Sequence, residues 1–330
     1  ALRGNSMRDS LIILLVSIVW MPRAHPEIPC PDFKTSMLLE TAQNASNEHY
    51  LKNRELYESL DPRCIKLFQS LYEKNIRSAN ADHSSTLRIP KIVHQIWLGS
   101  KLPEKYRSWM ESWAHLQGWE YKLWTDEDVK TLNLYNRDLY EKVQNYGEKS
   151  DILRLEILHR FGGVYVDIDY VCLQPELFEE FHQKFDFYIG FEPLDHGIIY
   201  KYRLFKVCNA IMGAAPYHPL LHDLIENLKA NYYAYYNTYV IQRTGPSYLT
   251  RIICQYEMRG AHKQRNMYFP SSFLYPICYR DKECYRDDPC EILHFFPEAA
   301  GIHYWEGSWT KSSSDCAYYL GPIPSRGIYQ

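Results

Sequence analysis

The stretch Arg160 to Leu173, RFGGVYVDIDYVCL, constrains this chain more than any other. Two glycines stop a helical pattern, and a run rich in Val, Tyr and Ile follows, which predicts a strand. Upstream, Ser150 predicts the N-cap of that helix. Its Ile152, Leu155 and Leu158 form one apolar row, with Leu153, Ile157 and Phe161 beside it. A capped helix, a double-glycine stop and an apolar strand make a unit of a layered α/β fold. Carboxylates inside such a strand are costly unless they are paired or hold a metal. Yet Asp167 and Asp169 stand there, one residue apart. Alternation along a strand turns both to one face and leaves Val166 and Ile168 on the other.

The flanking sequence repeats the alternation of strand and helix. IPKIVHQIWLG, from Ile89, predicts a strand closed by Gly99, and LPEKYRSWMESWAHL a helix with Pro103 at its start. GWEYKLW predicts a second strand, and TDED, Thr125 to Asp128, a capping box that opens another helix. FDFYIGFE and NAIMGAA predict two more strands, the latter feeding the helix PYHPLLHDLIENLKA. This order predicts a mostly parallel, Rossmann-like sheet flanked by helices. In such sheets ligands bind beyond the carboxyl ends of the strands. Two carboxylates there make a hard-oxygen site for Mg²⁺ or Mn²⁺, which in turn binds phosphate oxygens. A D-x-D pair is short, and two solvated aspartates at a strand exit would look the same.

The N-terminus has its own texture. Met7-Arg8 precedes the apolar stretch Leu11 to Trp20, and Ala24 follows, which predicts a signal peptide or short signal anchor over residues 1–28, with a leading remnant before Met7. Residues 29–88 predict a helical extension that closes on the polar cluster ANADHSST, and 89–330 the α/β domain. Nine cysteines fit export. None forms C-x-x-C, and five fall late, at Cys254, Cys278, Cys284, Cys290 and Cys316, which predicts disulfides there. Asn44, in NAS, matches a glycosylation acceptor. A secretory or export location follows. A net charge of −3 gives no basic excess for nucleic acid.

The blocks IPKIVHQIWLG, SDILRLEILHRFGGVYVDIDYVCLQP and HYWEGSW, in this order, resemble glycosyltransferase family 32. That family holds D-x-D transferases of the Och1 mannosyltransferase kind and is related to the clostridial toxin glucosyltransferase domains. The resemblance covers Ile89 to Thr310. It implies a GT-A fold, a nucleotide-sugar donor, Mn²⁺ or Mg²⁺, a glycan, lipid or protein acceptor, and retention of anomeric configuration. By position, Asp167 resembles the residue facing the donor's ribose and sugar, and Asp169 the direct metal ligand. Trp97 resembles the aromatic near the base. Asp151 and Arg154 resemble the pair that holds donor sugar and diphosphate, and their spacing puts them on one helix face. His303, Ser308 and Trp309 resemble the C-terminal loop over the diphosphate, with His303 and Ser308 as further metal ligands. A catalytic set of Asp151, Arg154 and Asp167 follows from the same likeness.

Two other readings fit parts of the pattern. VYVDIDYV matches a haloacid-dehalogenase-type phosphatase, in which Asp167 would be nucleophile and Asp169 general acid. That motif opens its domain, whereas here three α/β elements precede it. RDDPC, from Arg286, would have to supply the distal acidic pair. The third reading is a transferase-like fold that binds glycans or nucleotides without turnover. The tyrosines of NYYAYYNTYV, from Asn231, suit either a sugar platform or a packed aromatic face.

Overall fold

The computed structural model describes residues 27–37, 62–194, 196, 205–260, 262–279 and 281–308. The predicted signal segment, Asn44, Trp309 and Cys316 lie outside the described residues.

Six strands form the main sheet: β1 (Ile92–Ile96), β2 (Glu120–Trp124), β3 (Gly163–Val166), β5 (Phe187–Phe191), β6 (Val207–Ala214) and β7 (Asn266–Phe269). Their order is β2-β1-β3-β6-β5-β7. β1 runs parallel to β2 and β3, and β5 parallel to β7, while β6 is antiparallel to both its neighbours. Five strands therefore share one direction, and the mostly parallel sheet expected from the alternation is what forms. β3, β5 and β6 are buried throughout, as expected of strands covered on both faces.

The helices follow the sequence pattern closely. Helix α1 (Phe33–Ser36) and α2 (Pro62–Asn80) come before the sheet, and Phe68 of α2 packs edge-on against Phe191 and Tyr268. Ser36, Asn75, Ile76 and Ala79 are buried with them, so this N-terminal segment contributes to the main core. Pro103 precedes a 3₁₀ turn (Glu104–Tyr106) that leads into α3 (Arg107–Ala114). Thr125 and Asp128 close the expected capping box on α4 (Asp126–Thr131), and α5 (Arg137–Lys142) follows.

Helix α6 (Tyr146–Phe161) carries the central motif and begins earlier than its sequence suggests. The Asn145 side chain, not that of Ser150, caps it, accepting from the Gly147 and Glu148 N–H groups at 2.7 and 3.2 Å. Ser150 sits inside the helix, so Asp151 is beyond the first turn. Gly162 ends α6. His94 of β1 donates from Nε2 to the Gly162 carbonyl at 2.8 Å and accepts at Nδ1 from Trp124 Nε1 at 3.2 Å. That pair of bonds selects the neutral tautomer and ties the first block to the double glycine. Helices α7 (Pro175–Lys184), α8 (Pro219–Ala234), α9 (Val240–Arg243), α10 (Pro246–Arg259) and α11 (Ser271–Leu274) complete the layers.

The largest departure lies in the opening motif. VYVDIDYV is not one strand. β3 ends at Val166, and Asp167, Ile168 and Asp169 form a turn into β4 (Tyr170–Cys172). β4 leaves the main sheet and pairs with β8 (Gly301–His303), with Tyr170 opposite His303. Strand alternation therefore does not set the direction of the two aspartates. A second apolar cluster forms around β4 and β8, from Tyr106, Trp109, Ile168, Val171, Ile302 and Tyr304. Burying Ile168 there gives the chain a reason to turn.

The expected late disulfides do not form among the described residues. Cys254 and Cys278 are buried, and Cys254 packs in the main apolar core. Cys284 and Cys290 are exposed around two 3₁₀ turns, Lys282–Tyr285 and Pro289–His294.

Candidate functional site

The site grows from the carboxyl end of β3. Asp167 lies one residue past it, with its N–H donating to the Ala210 carbonyl of β6 at 2.7 Å. Its Oδ1 accepts from the Tyr165 hydroxyl at 2.5 Å and from Arg154 at 3.2 Å. Gln95 of β1 donates to its carbonyl at 3.2 Å. The Asp167 side chain keeps 27% of its surface open, enough to meet a ligand while Tyr165 and Arg154 fix its direction.

Arg154 is buried. It reaches Asp167 and Asp151, each at 3.2 Å, donates to the Asn209 carbonyl at 2.5 Å, and lies 4.4 Å from the Tyr165 ring centroid. Asp151 in turn accepts from Asn209 Nδ2 at 2.8 Å and from the Thr244 hydroxyl at 2.7 Å. Burial is the largest influence on Asp151 and lifts its carboxyl to about 6, against the pull of Arg154 and Thr244. The surface ion pair that the spacing of Asp151 and Arg154 also allows is thus excluded. The two are desolvated and continue to the partly open Asp167, so that the three form a string, Asp151–Arg154–Asp167, at the carboxyl end of β3.

Asp169 completes the other side. His303 Nε2 stands 3.2 Å from its Oδ1 and 3.9 Å from Asp167 Oδ2. The Glu306 N–H donates to Asp169 Oδ2 at 2.7 Å. Burial works to raise the Asp169 carboxyl, but His303 outweighs it and the group is held low. Asp167 moves the other way, raised chiefly by burial despite Arg154, with Asp169 adding repulsion. His303 loses basicity to burial and regains more from Asp169, so its affinity for a proton rises. Its ring is held by Trp305, with centroids 4.3 Å apart, and by Tyr170, stacked at 5.9 Å.

Asp167, Asp169 and His303 each offer a ligand atom, and these atoms lie within 4.8 Å of one another. Two carboxylate oxygens and an imidazole nitrogen suit a divalent cation of the Mn²⁺, Mg²⁺ or Zn²⁺ kind. His303 Nε2 faces both carboxylates, at 3.2 and 3.9 Å, as a third ligand to a shared cation would. The residues present fit such an ion.

Among the other predicted residues, Trp97 is half-buried at the end of β1. It bonds the Ser100 carbonyl through Nε1 at 2.9 Å and lies 5.5 Å from Tyr106. Tyr106 leads on to Trp109, which stacks on Tyr304 at 4.6 Å. Ser308 is exposed in the turn after the loop that carries Trp305. Sequence reasoning missed Tyr165, Asn209, Thr244 and Gln95. Asn209 left a trace, a polar residue within the apolar run VCNAIMGA, and Tyr165 stands two residues before Asp167. Thr244 left none, because only the fold carries it to Asp151.

Residues 100–185 match the family described as the glycosyltransferase sugar-binding region containing the DXD motif. That stretch of the chain therefore resembles the DXD-containing sugar-binding region of glycosyltransferases. Asp151, Arg154, Asp167 and Asp169 fall inside that region, and Trp97 and His303 lie outside it. Inositol phosphoceramide mannosyltransferase 1 of Schizosaccharomyces pombe is 29% identical over 180 residues, 51% of this chain and 52% of that relative. Mannosyl phosphorylinositol ceramide synthase SUR1 of Saccharomyces cerevisiae is 29% identical over 176 residues, 51% of this chain and 43% of that relative. The chain thus spans about half the length of these curated relatives. The PaToxG glycosyltransferase structure overlays 79% of this chain and 95% of its own at 17% identity, with a TM-score of 0.38, too low to bear on the fold. No helix among the described residues is long and apolar enough to cross a membrane.

Proposed function

We propose that the protein is a retaining, metal-dependent glycosyltransferase that moves a hexose from a nucleotide sugar to a hydroxyl of a glycan, lipid or protein. One observation carries the reading: the buried string Asp151–Arg154–Asp167 ends beside the Asp167, Asp169 and His303 group. A nucleotide sugar presents those two chemistries together, a polyhydroxylated ring and a diphosphate.

Asp167, Asp169 and His303 would hold the cation, with Ser308 as a further oxygen ligand. When bound, the cation supplies a Lewis acid for the diphosphate oxygens. Arg154 adds a fixed positive charge where negative charge grows on the leaving group. Such preorganised charge is worth most in a desolvated site. Asp151, anchored by Asn209 and Thr244, orients Arg154 and presents an acceptor to the donor sugar. Asp167, held by Tyr165, does the same at the ribose and sugar. Trp97 flanks the nucleotide. The acceptor hydroxyl needs only to be held close to the anomeric carbon. We assign the protein to the secretory route, with residues 1–28 as its targeting segment or membrane anchor.

The phosphatase reading is weaker on this geometry. Asp167 Oδ1 is engaged by Tyr165 and Arg154, which ties down the carboxylate that would have to attack. A transferase-like protein without turnover would not need the desolvated Arg154.

The test is a panel of nucleotide sugars with Mn²⁺, scored by donor hydrolysis, on wild type and Asp169→Asn. The wild type should hydrolyse one donor, and the variant should be slower by roughly a hundredfold or more, the cost of losing one such electrostatic contact. Turnover of an aryl phosphate that vanishes in Asp167→Asn, with no donor hydrolysed, would establish the phosphatase instead.

A further inference from the structure

The segment after β8 is held in an unusual way. Trp305 has a φ of 54° and Gly307 one of 59°, so the chain is strained at a non-glycine residue directly beside the site. Something must hold it there. The Trp305 indole donates to the Ile277 carbonyl at 3.1 Å, which fixes the ring but not the residue that follows.

Glu306 supplies the rest. Its carboxylate is gripped by three cations from two other segments: Lys105 at 2.7 Å, Arg286 at 2.9 Å and Lys282 at 3.2 Å. Only 12% of the Glu306 side chain is exposed, against 58% for Lys105. Lys282 also approaches the Trp305 carbonyl at 3.5 Å. Arg286 is fixed in turn, bonded to Glu283 at 2.7 and 2.9 Å and lying over the Trp109 and Tyr304 rings. Exposed ion pairs contribute little, but a half-buried carboxylate with three convergent cations is a network whose geometry is set. The main-chain N–H of this same residue is the one that caps Asp169. The residue three positions earlier is His303.

We propose that Glu306 is a positioning residue for the cation site. Its carboxylate, fastened by Lys105, Lys282 and Arg286, holds residues 303–307 in the strained turn. There its own N–H orients Asp169 and His303 faces the acidic pair. Glu306 does not ligate the ion; it acts through Asp169 and His303. The role rests on the transferase reading insofar as that reading gives the site a cation. Partners of metal ligands that are lost in this way weaken metal affinity by ~10–100-fold.

The experiment compares wild type, Glu306→Gln and, as a control, Glu104→Gln, which removes an exposed carboxylate from the turn that carries Lys105. Two quantities are read: Mn²⁺ affinity with UDP or GDP present, by electron paramagnetic resonance, and amide exchange over residues 301–308. Glu306→Gln should exchange faster in that segment alone and bind Mn²⁺ at least tenfold more weakly, with Glu104→Gln like wild type. Unchanged exchange, or faster exchange with unchanged Mn²⁺ affinity, overturns the proposal and leaves the transferase reading standing. A wild type that binds no Mn²⁺ overturns that reading and takes this proposal with it. If Glu306→Gln lacks a cooperative unfolding transition, Lys105→Met reads the same grip from its exposed end, and wild-type exchange and affinity there count against the proposal.

Discussion

Asp167 shows how one side chain acquires its properties from several elements. It belongs to a turn, yet its direction is set by Tyr165 of β3, Arg154 of α6 and the β6 backbone. The hydroxyl of Tyr165 is the neutral side chain of that set, so its removal is the gentlest probe. Tyr165→Phe keeps the ring, including its contact with Arg154, and deletes one bond to a carboxylate. A hydrogen bond to a charged group is worth ~1.5–3 kcal/mol. Donor hydrolysis should therefore fall by roughly ten- to a hundredfold, with folding intact by circular dichroism. Arg154→Ala should slow turnover too but spare Mn²⁺ binding, since Arg154 reaches the ion only through Asp167. Loss of Mn²⁺ binding in Arg154→Ala would mean that Arg154 chiefly holds the metal ligands in place.

At the scale of elements, the double glycine is the joint on which α6, β1 and β3 meet. Gly163 has a φ of 98°, and a Cβ there would stand 2.4 Å from the Ile92 carbonyl and 3.1 Å from His94 Nε2. Gly163→Ala combines backbone strain with a clash against main chain that cannot move aside. It should cost on the order of 3 kcal/mol in urea unfolding. Gly118→Ala shares a positive φ of 77° but meets open space, so it should cost only ~1–2 kcal/mol. Equal losses would show that φ alone matters. This joint explains what could be read beforehand. Helix stops, caps and apolar strands are local, and GGVYV, TDED and the β1 block announced their elements correctly. The D-x-D turn was misread because Tyr170, Val171 and Cys172 have strand propensity in any sheet, and only the pairing with Gly301–His303 decides which one. His303 was found by likeness to a family block, whereas Thr244 and Asn209 join Asp151 across 93 and 58 residues of chain. No local pattern encodes contacts of that kind. Asn145 displaced Ser150 as the cap because both are good cap residues and the longer helix buries more of its face.

The whole molecule carries a pH dependence that belongs to its core. Burial depresses three histidines, His94 to about 4, His218 to about 4 and His182 to about 3. A histidine lowered on folding is neutral in the native chain and protonates in the unfolded one. Its contribution is complete above the unfolded value near 6.5 and is lost as pH falls towards 4, by on the order of 3 kcal/mol each. Asp151 works in the opposite sense. Its carboxyl is raised to about 6, so its contribution is complete below its unfolded value near 4 and is lost as pH rises through 6. The three histidines act together, and their joint contribution to stability should fall on acidification from pH 6.5 to 4. His218 allows this to be tested cleanly. Its Nδ1 caps α8 by accepting from the Leu220 N–H at 3.2 Å. Asparagine is a good cap that does not titrate. His218→Asn should therefore unfold with a shallower pH slope between 6.5 and 4, and Asp151, common to both proteins, cancels from the difference. At pH 7 wild type should be equal or superior, and by pH 4.5 the gap should narrow by ~2 kcal/mol or reverse. Parallel urea titrations at pH 7, 5.5 and 4.5 measure it, and a gap that stays constant across the three would show that His218 titrates alike in both states.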